Sequence, residues 1–117
     1  MNNKIFVSIA SYRDPELIPT IKNMIAHAAN PENIVISVCW QVEERDISVF
    51  TDIGAVEINS GSDNPDIFRL DYQGALLHVH YVHIYNARGA CWARYCAEQA
   101  FNHEDYFLQI DSHCRFI

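Results

Sequence analysis

Apolar and polar positions alternate between short extended runs and one clear helical stripe. Ile5-Phe6-Val7-Ser8-Ile9-Ala10 is almost wholly apolar, which predicts a central strand. Ser11 to Arg13 follow as a loop. Asp14-Pro15-Glu16 reads as a helix start, with Asp at the cap, Pro in the first turn and Glu beside the positive end of the dipole. Leu17, Ile18, Ile21, Met24, Ile25 and Ala28 then form one apolar stripe, and Asn30-Pro31 ends the helix. A second strand is expected over 33–40, a short helix over 46–52 and an edge-like strand over 55–58.

The stretch 59–73 holds Gly, Pro, Ser, Asn and several acidic residues, and reads as a long surface loop. Leu76 to Tyr85 is expected to be extended. Ala90 to Phe101 reads as a helix buried through Ala93, Cys96, Ala97, Ala100 and Phe101. Arg94 and Glu98, one turn apart, suit a helix-surface ion pair. Asp105 to Asp111 is the last strand. With parallel pairing and right-handed crossovers as the default, the order predicts a parallel α/β sheet with helices on both faces.

The chain has 117 residues, enough for one domain with one core. Half of the residues are hydrophobic, which excludes disorder. A formal net charge of −7 argues against nucleic-acid partners, and no apolar run suits a membrane span. Cys39, Cys91, Cys96 and Cys114 form no C-x-x-C pair, so reduced thiols in a cytoplasmic protein are expected. His78 and His80 share a strand face without an evident third ligand, and the expectation for each is a structural or exposed histidine.

Candidate chemistry concentrates at the end of the last strand. Asp111 and His113 are two residues apart in extended backbone and point the same way. A carboxylate oxygen and a ring nitrogen suit Mn²⁺ or another divalent first-row cation. Ligands of open α/β sheets bind at this carboxyl edge. By itself the D-x-H pattern is weak, because an Asp-Ser pair after a strand is more often a turn or a helix cap.

Three blocks make it more specific. Ile5 to Glu16, Arg88-Gly89-Ala90-Cys91-Trp92-Ala93-Arg94-Tyr95, and Tyr106 to His113 together resemble the N-terminal part of the GlcNAc-transferase family. That family includes cytosolic enzymes that add N-acetylglucosamine to hydroxyproline on a polypeptide. It is distantly similar to the polypeptide N-acetylgalactosaminyltransferases, which also carry D-S-H. The resemblance implies a GT-A-like (Rossmann-like) fold, with residues 1–117 as an incomplete domain carrying the nucleotide-sugar half. It implies Ala10, Ser11, Tyr12 and Arg13 at the uridine pocket, Arg88, Gly89 and Arg94 near the diphosphate and donor sugar, and Asp111 and His113 on Mn²⁺. The donor it implies is UDP-GlcNAc and the acceptor a hydroxyl on a polypeptide or glycan. Self-association through an uncovered face is a further expectation. Two other readings are a non-catalytic nucleotide-binding module, including a truncated remnant, and a metal-free flavodoxin-like domain.

Overall fold

The computed structural model describes residues 3–112; His113 and Cys114 therefore lie outside the described residues. The strands are β1 (Ile5–Tyr12), β2 (Ile34–Val42), β3 (Val56–Ile58), β4 (Ile67–Tyr72), β5 (Ala75–His83) and β6 (Tyr106–Asp111). The helices are α1 (Leu17–Ala26), α2 (Ser48–Thr51) and α3 (Ala90–Glu98). One six-stranded sheet runs in the order β3-β4-β5-β2-β1-β6. β1 pairs in parallel with both β2 and β6, and β2 pairs in parallel with β5.

The expected all-parallel sheet is therefore corrected to a mixed one, because β4 runs antiparallel to β3 and β5. The long loop expected over 59–73 is corrected too. Its second half is β4, where Phe68, Leu70 and Tyr72 alternate into the core. Tyr72 pairs with Ala75 across a two-residue turn at Gln73-Gly74. Both turn residues have positive φ (51° and 93°), as a type I′ hairpin requires. Gln is an uncommon first residue for such a turn, so the hairpin carried a weak signal.

Element boundaries also shift. The expected cap Asp14 does accept from the Glu16 N–H at 2.9 Å, but the helix proper begins at Leu17. Ser11 and Tyr12 lie in β1, not in a loop. The last helix ends at Glu98 rather than Phe101. Among the described residues, Arg94 and Glu98 form no ion pair; the one such pair is Arg13–Glu43 at 2.7 Å.

Strand alternation sorts the two faces. Val7, Ile9, Ile36, Val38, Trp40, Leu77 and Val79 face the larger core, closed by Leu17, Ile21, Met24 and Ile25 of α1 and Phe50 of α2. The opposite face is covered by α3, where Ala93 and Ala97 pack against Cys39 and Val82. Strand residues beneath the helix include the small Ser8, Ala10, Ser37 and Cys39. The Ser37 hydroxyl donates to the Ala97 carbonyl at 2.7 Å, a buried bond from sheet to helix. Small side chains on both surfaces bring the helix close to the sheet.

A larger residue at this contact has no room. Ala97→Leu is expected to destabilise the fold by about 1–3 kcal/mol, read as a lower midpoint in urea unfolding.

Candidate functional site

The four parallel strands end on one edge, and their exit segments gather there. Beyond β5, residues 84–86 form a single 3-10 turn, and Gly89 caps α3 with φ 92° and ψ 172°. A side chain is rarely tolerated at that φ. Between these parts lies a cleft of about 400 Å³, lined by Ala10, Tyr12, Gln41, Ile84, Ala87, Gly89 and Ala93. Ala10 and Tyr12 are two apart in β1, so both point to the α3 side. Gln41 is opposite Tyr12 in the β1–β2 register. Its Nε2 donates to the Ser11 carbonyl at 2.9 Å, which holds the amide in place.

The residues expected to bind a nucleotide sugar divide between this cleft and its surroundings. Ala10, Tyr12 and Gly89 line it together. Ser11 lies between the first two in a strand, so its side chain points the other way; it is buried, and its hydroxyl has no partner among the described residues. Arg13 leaves β1 with φ 49°, and its N–H donates to the Gln41 carbonyl at 2.9 Å. Its guanidinium pairs with Glu43 in a neighbouring groove that also holds Asp14, Trp40 and Glu44. Arg88 lies in another adjoining cleft, 6.0 Å from the Trp92 ring. Arg94 is exposed on α3 and lines neither cleft.

Asp111 is exposed at the end of β6 and is the register partner of Ala10, which places it beside the cleft. The next residue anchors it. Ser112 is buried, its hydroxyl donates to Asp14 Oδ2 at 2.5 Å, and its carbonyl accepts from Thr20 Oγ1 at 2.8 Å. The middle residue of the D-S-H stretch thus ties the tip of β6 to the start of α1. Among the described residues no three His, Cys, Asp or Glu side chains gather as a metal cluster.

The sequence reading missed Gln41, Ile84, Ala87 and Ala93. Gln41 carried a signal, as a polar residue at the exit of a buried strand. The other three are apolar or small and carried none. The Asp14–Ser112 bond joins residues 98 apart in the chain and also left no local trace.

Beneath α3 lies a polar group kept neutral. Burial, the Arg69 guanidinium and His80 lower the His78 pKa from 6.5 to about 4. Burial also lowers that of His80, opposed by Asp66. His80 Nδ1 lies 3.1 Å from Cys96 Sγ. Burial and the neighbouring Cys96 thiol push the Cys39 thiol well above its ordinary value. Cys39, Cys91 and Cys96 are all free.

Two outcomes follow. Ser112→Ala removes a hydroxyl donated to a carboxylate, and is expected to cost about 1.5–3 kcal/mol in denaturant unfolding. The unfolded chain binds a proton at His78 that the folded chain refuses. Stability should therefore fall as pH drops from 6.5 towards about 4. His78→Asn should flatten that part of the pH profile, measured by urea unfolding at stepped pH.

No curated protein and no solved structure matches the chain. One family model does, that of Glycosyltransferase (GlcNAc), over residues 4–71 and 57–117. These two matches take in both the strand edge that builds the cleft and the D-S-H stretch, and the chain belongs to this glycosyltransferase family.

Proposed function

We propose that the chain binds a UDP-sugar, UDP-GlcNAc, in the cleft beside Asp111, for transfer to a hydroxyl on a polypeptide or glycan. The observation that carries this reading is the register pairing of Ala10 with Asp111, which sets a carboxylate next to a nucleoside-sized cleft at the carboxyl edge of the sheet. Ala10, Ala87, Gly89 and Ala93 are small, and so leave depth for a flat base. The Tyr12 ring supplies an aromatic wall. Gln41 gives one Nε2 hydrogen to the Ser11 carbonyl, which orients the amide so that its Oε1 can accept from a ligand N–H, and uracil offers one.

The donor set at the strand end suits a divalent cation. Asp111 offers hard carboxylate oxygen and, in the D-S-H pattern, His113 would add an imidazole nitrogen, a combination that fits Mn²⁺. When bound, such an ion offsets negative charge on a departing UDP. The chain's own contribution is positional. Ser112, fixed by Asp14 and Thr20, holds the backbone on which Asp111 is carried. Fixing a ligand group beforehand lowers the ordering cost of binding. Gly89 lets the turn after β5 enter α3 without a side chain beside the cleft. The free thiols suit a cytoplasmic setting.

The test is calorimetric titration of UDP and UDP-GlcNAc into the chain, with Mn²⁺ and with chelator. Binding is expected to require the ion and to weaken at least about tenfold in Asp111→Asn, equivalent to about 1.4 kcal/mol. Equal affinity in chelator, or an unaffected Asp111→Asn, would sink the metal role. Failure of both nucleotides to bind would sink the donor role.

A further inference from the structure

A second cleft, of about 550 Å³, opens on the other side of the turn that follows β5. It shares Ala87 with the first cleft but is otherwise built from different residues, including Asp66, His80, His83, Tyr85, Arg88 and Trp92. Tyr85 is 89% exposed, so its ring is open to a ligand. Its ring centroid lies 4.8 Å from that of His83. Its N–H donates to His83 Nδ1 at 3.2 Å, so the neutral ring carries its proton on Nε2 and offers a donor. His80 has Nδ1 beside Cys96, which leaves Nε2 as its atom for a ligand. Asp66 and Arg88 contribute one carboxylate and one guanidinium.

We propose that this cleft is a subsite for a neutral carbohydrate chain, gripped between the Tyr85 and Trp92 rings and the Asp66, His83 and Arg88 polar groups. The chemistry favours that ligand over others. A sugar ring has a face of C–H bonds that rests on an aromatic ring, and hydroxyls that both donate and accept. Asp66 accepts, Arg88 and His83 donate, and their formal charges cancel between carboxylate and guanidinium. A phosphate would meet the Asp66 carboxylate, and a purely apolar ligand would leave all these groups unpaired.

Position assigns the subsite a role. The cleft adjoins the donor cleft, with which it shares Ala87. A sugar chain held beside the donor cleft belongs to the acceptor, which makes a glycan the acceptor class. This role rests on the donor-site reading above; the binding itself does not.

The experiment titrates chitotriose, maltotriose and mannotriose separately into the whole chain, without nucleotide or metal. The readouts are Trp92 fluorescence and backbone amide shifts. At least one trisaccharide is expected to give a saturable change centred on residues 83–92. Tyr85→Ala and Asp66→Asn should each weaken it at least about tenfold, while Mn²⁺-dependent UDP binding stays unchanged. Tyr85→Ala keeps the backbone bond to His83 and removes an exposed ring, so the fold is retained. No saturable change with any of the three sugars overturns the proposal. So does binding that survives both substitutions, or a hydroxyproline peptide that shifts these amides when no sugar does. Sugar binding in a chain that fails to bind UDP would keep the subsite and remove the donor reading.

Discussion

The close seat of α3 on the sheet is the contact on which the nucleotide-sized cleft depends. Ser8, Ser37, Ala93 and Ala97 are all small and buried, and Ser37 donates into the helix backbone at Ala97. Close approach brings Ala93 and Gly89 over the ends of β1 and β2, where Ala10, Tyr12 and Gln41 wait. Larger side chains at the contact would lift the helix and open the cleft. The same contact leaves the Ser8 hydroxyl buried with no partner among the described residues. An unpaired buried hydroxyl costs stability, and close packing offsets that cost.

A second constraint works from the opposite face. The tip of β6 belongs to the sheet edge, and Tyr106, Phe107 and Leu108 before it are about half exposed. An edge strand pairs on one side only, so its end gains from added contacts. Ser112 supplies them by bonding to Asp14 and Thr20 at the start of α1, so the segment after β1 and the segment after β6 are fixed together. Helix α1 thereby does two jobs: its apolar stripe closes the larger core, and its first turn holds the carrier of Asp111.

The histidines under α3 show how burial selects chemistry. His78 and His80 share the face with Cys39 and Cys96, and desolvation disfavours the charged form of each. These groups therefore stay neutral, which suits a packed layer beneath a helix. His80 also lines the second cleft, so the neutral layer extends to the floor of that cleft.

Much of this was legible in the residues. The apolar run of β1, the stripe of α1 and the small-residue face of α3 follow from side-chain period and volume, which are local. The D-S-H stretch and the blocks around it carried the glycosyltransferase resemblance. Tertiary structure decided the rest. It turned Ser11 away from Ala10 and Tyr12, because β1 continues through them and alternation is strict. It made Ile67–Tyr72 a strand through pairing with β5, where the alternating Phe68, Leu70 and Tyr72 were a local signal that the loop residues before them obscured. It brought Gln41, Ala87 and Gly89 to one cleft and Arg88 to another, because register and the turn after β5 set their positions. Sequence period determines which face a side chain takes. Only the packed sheet determines which distant side chains share that face.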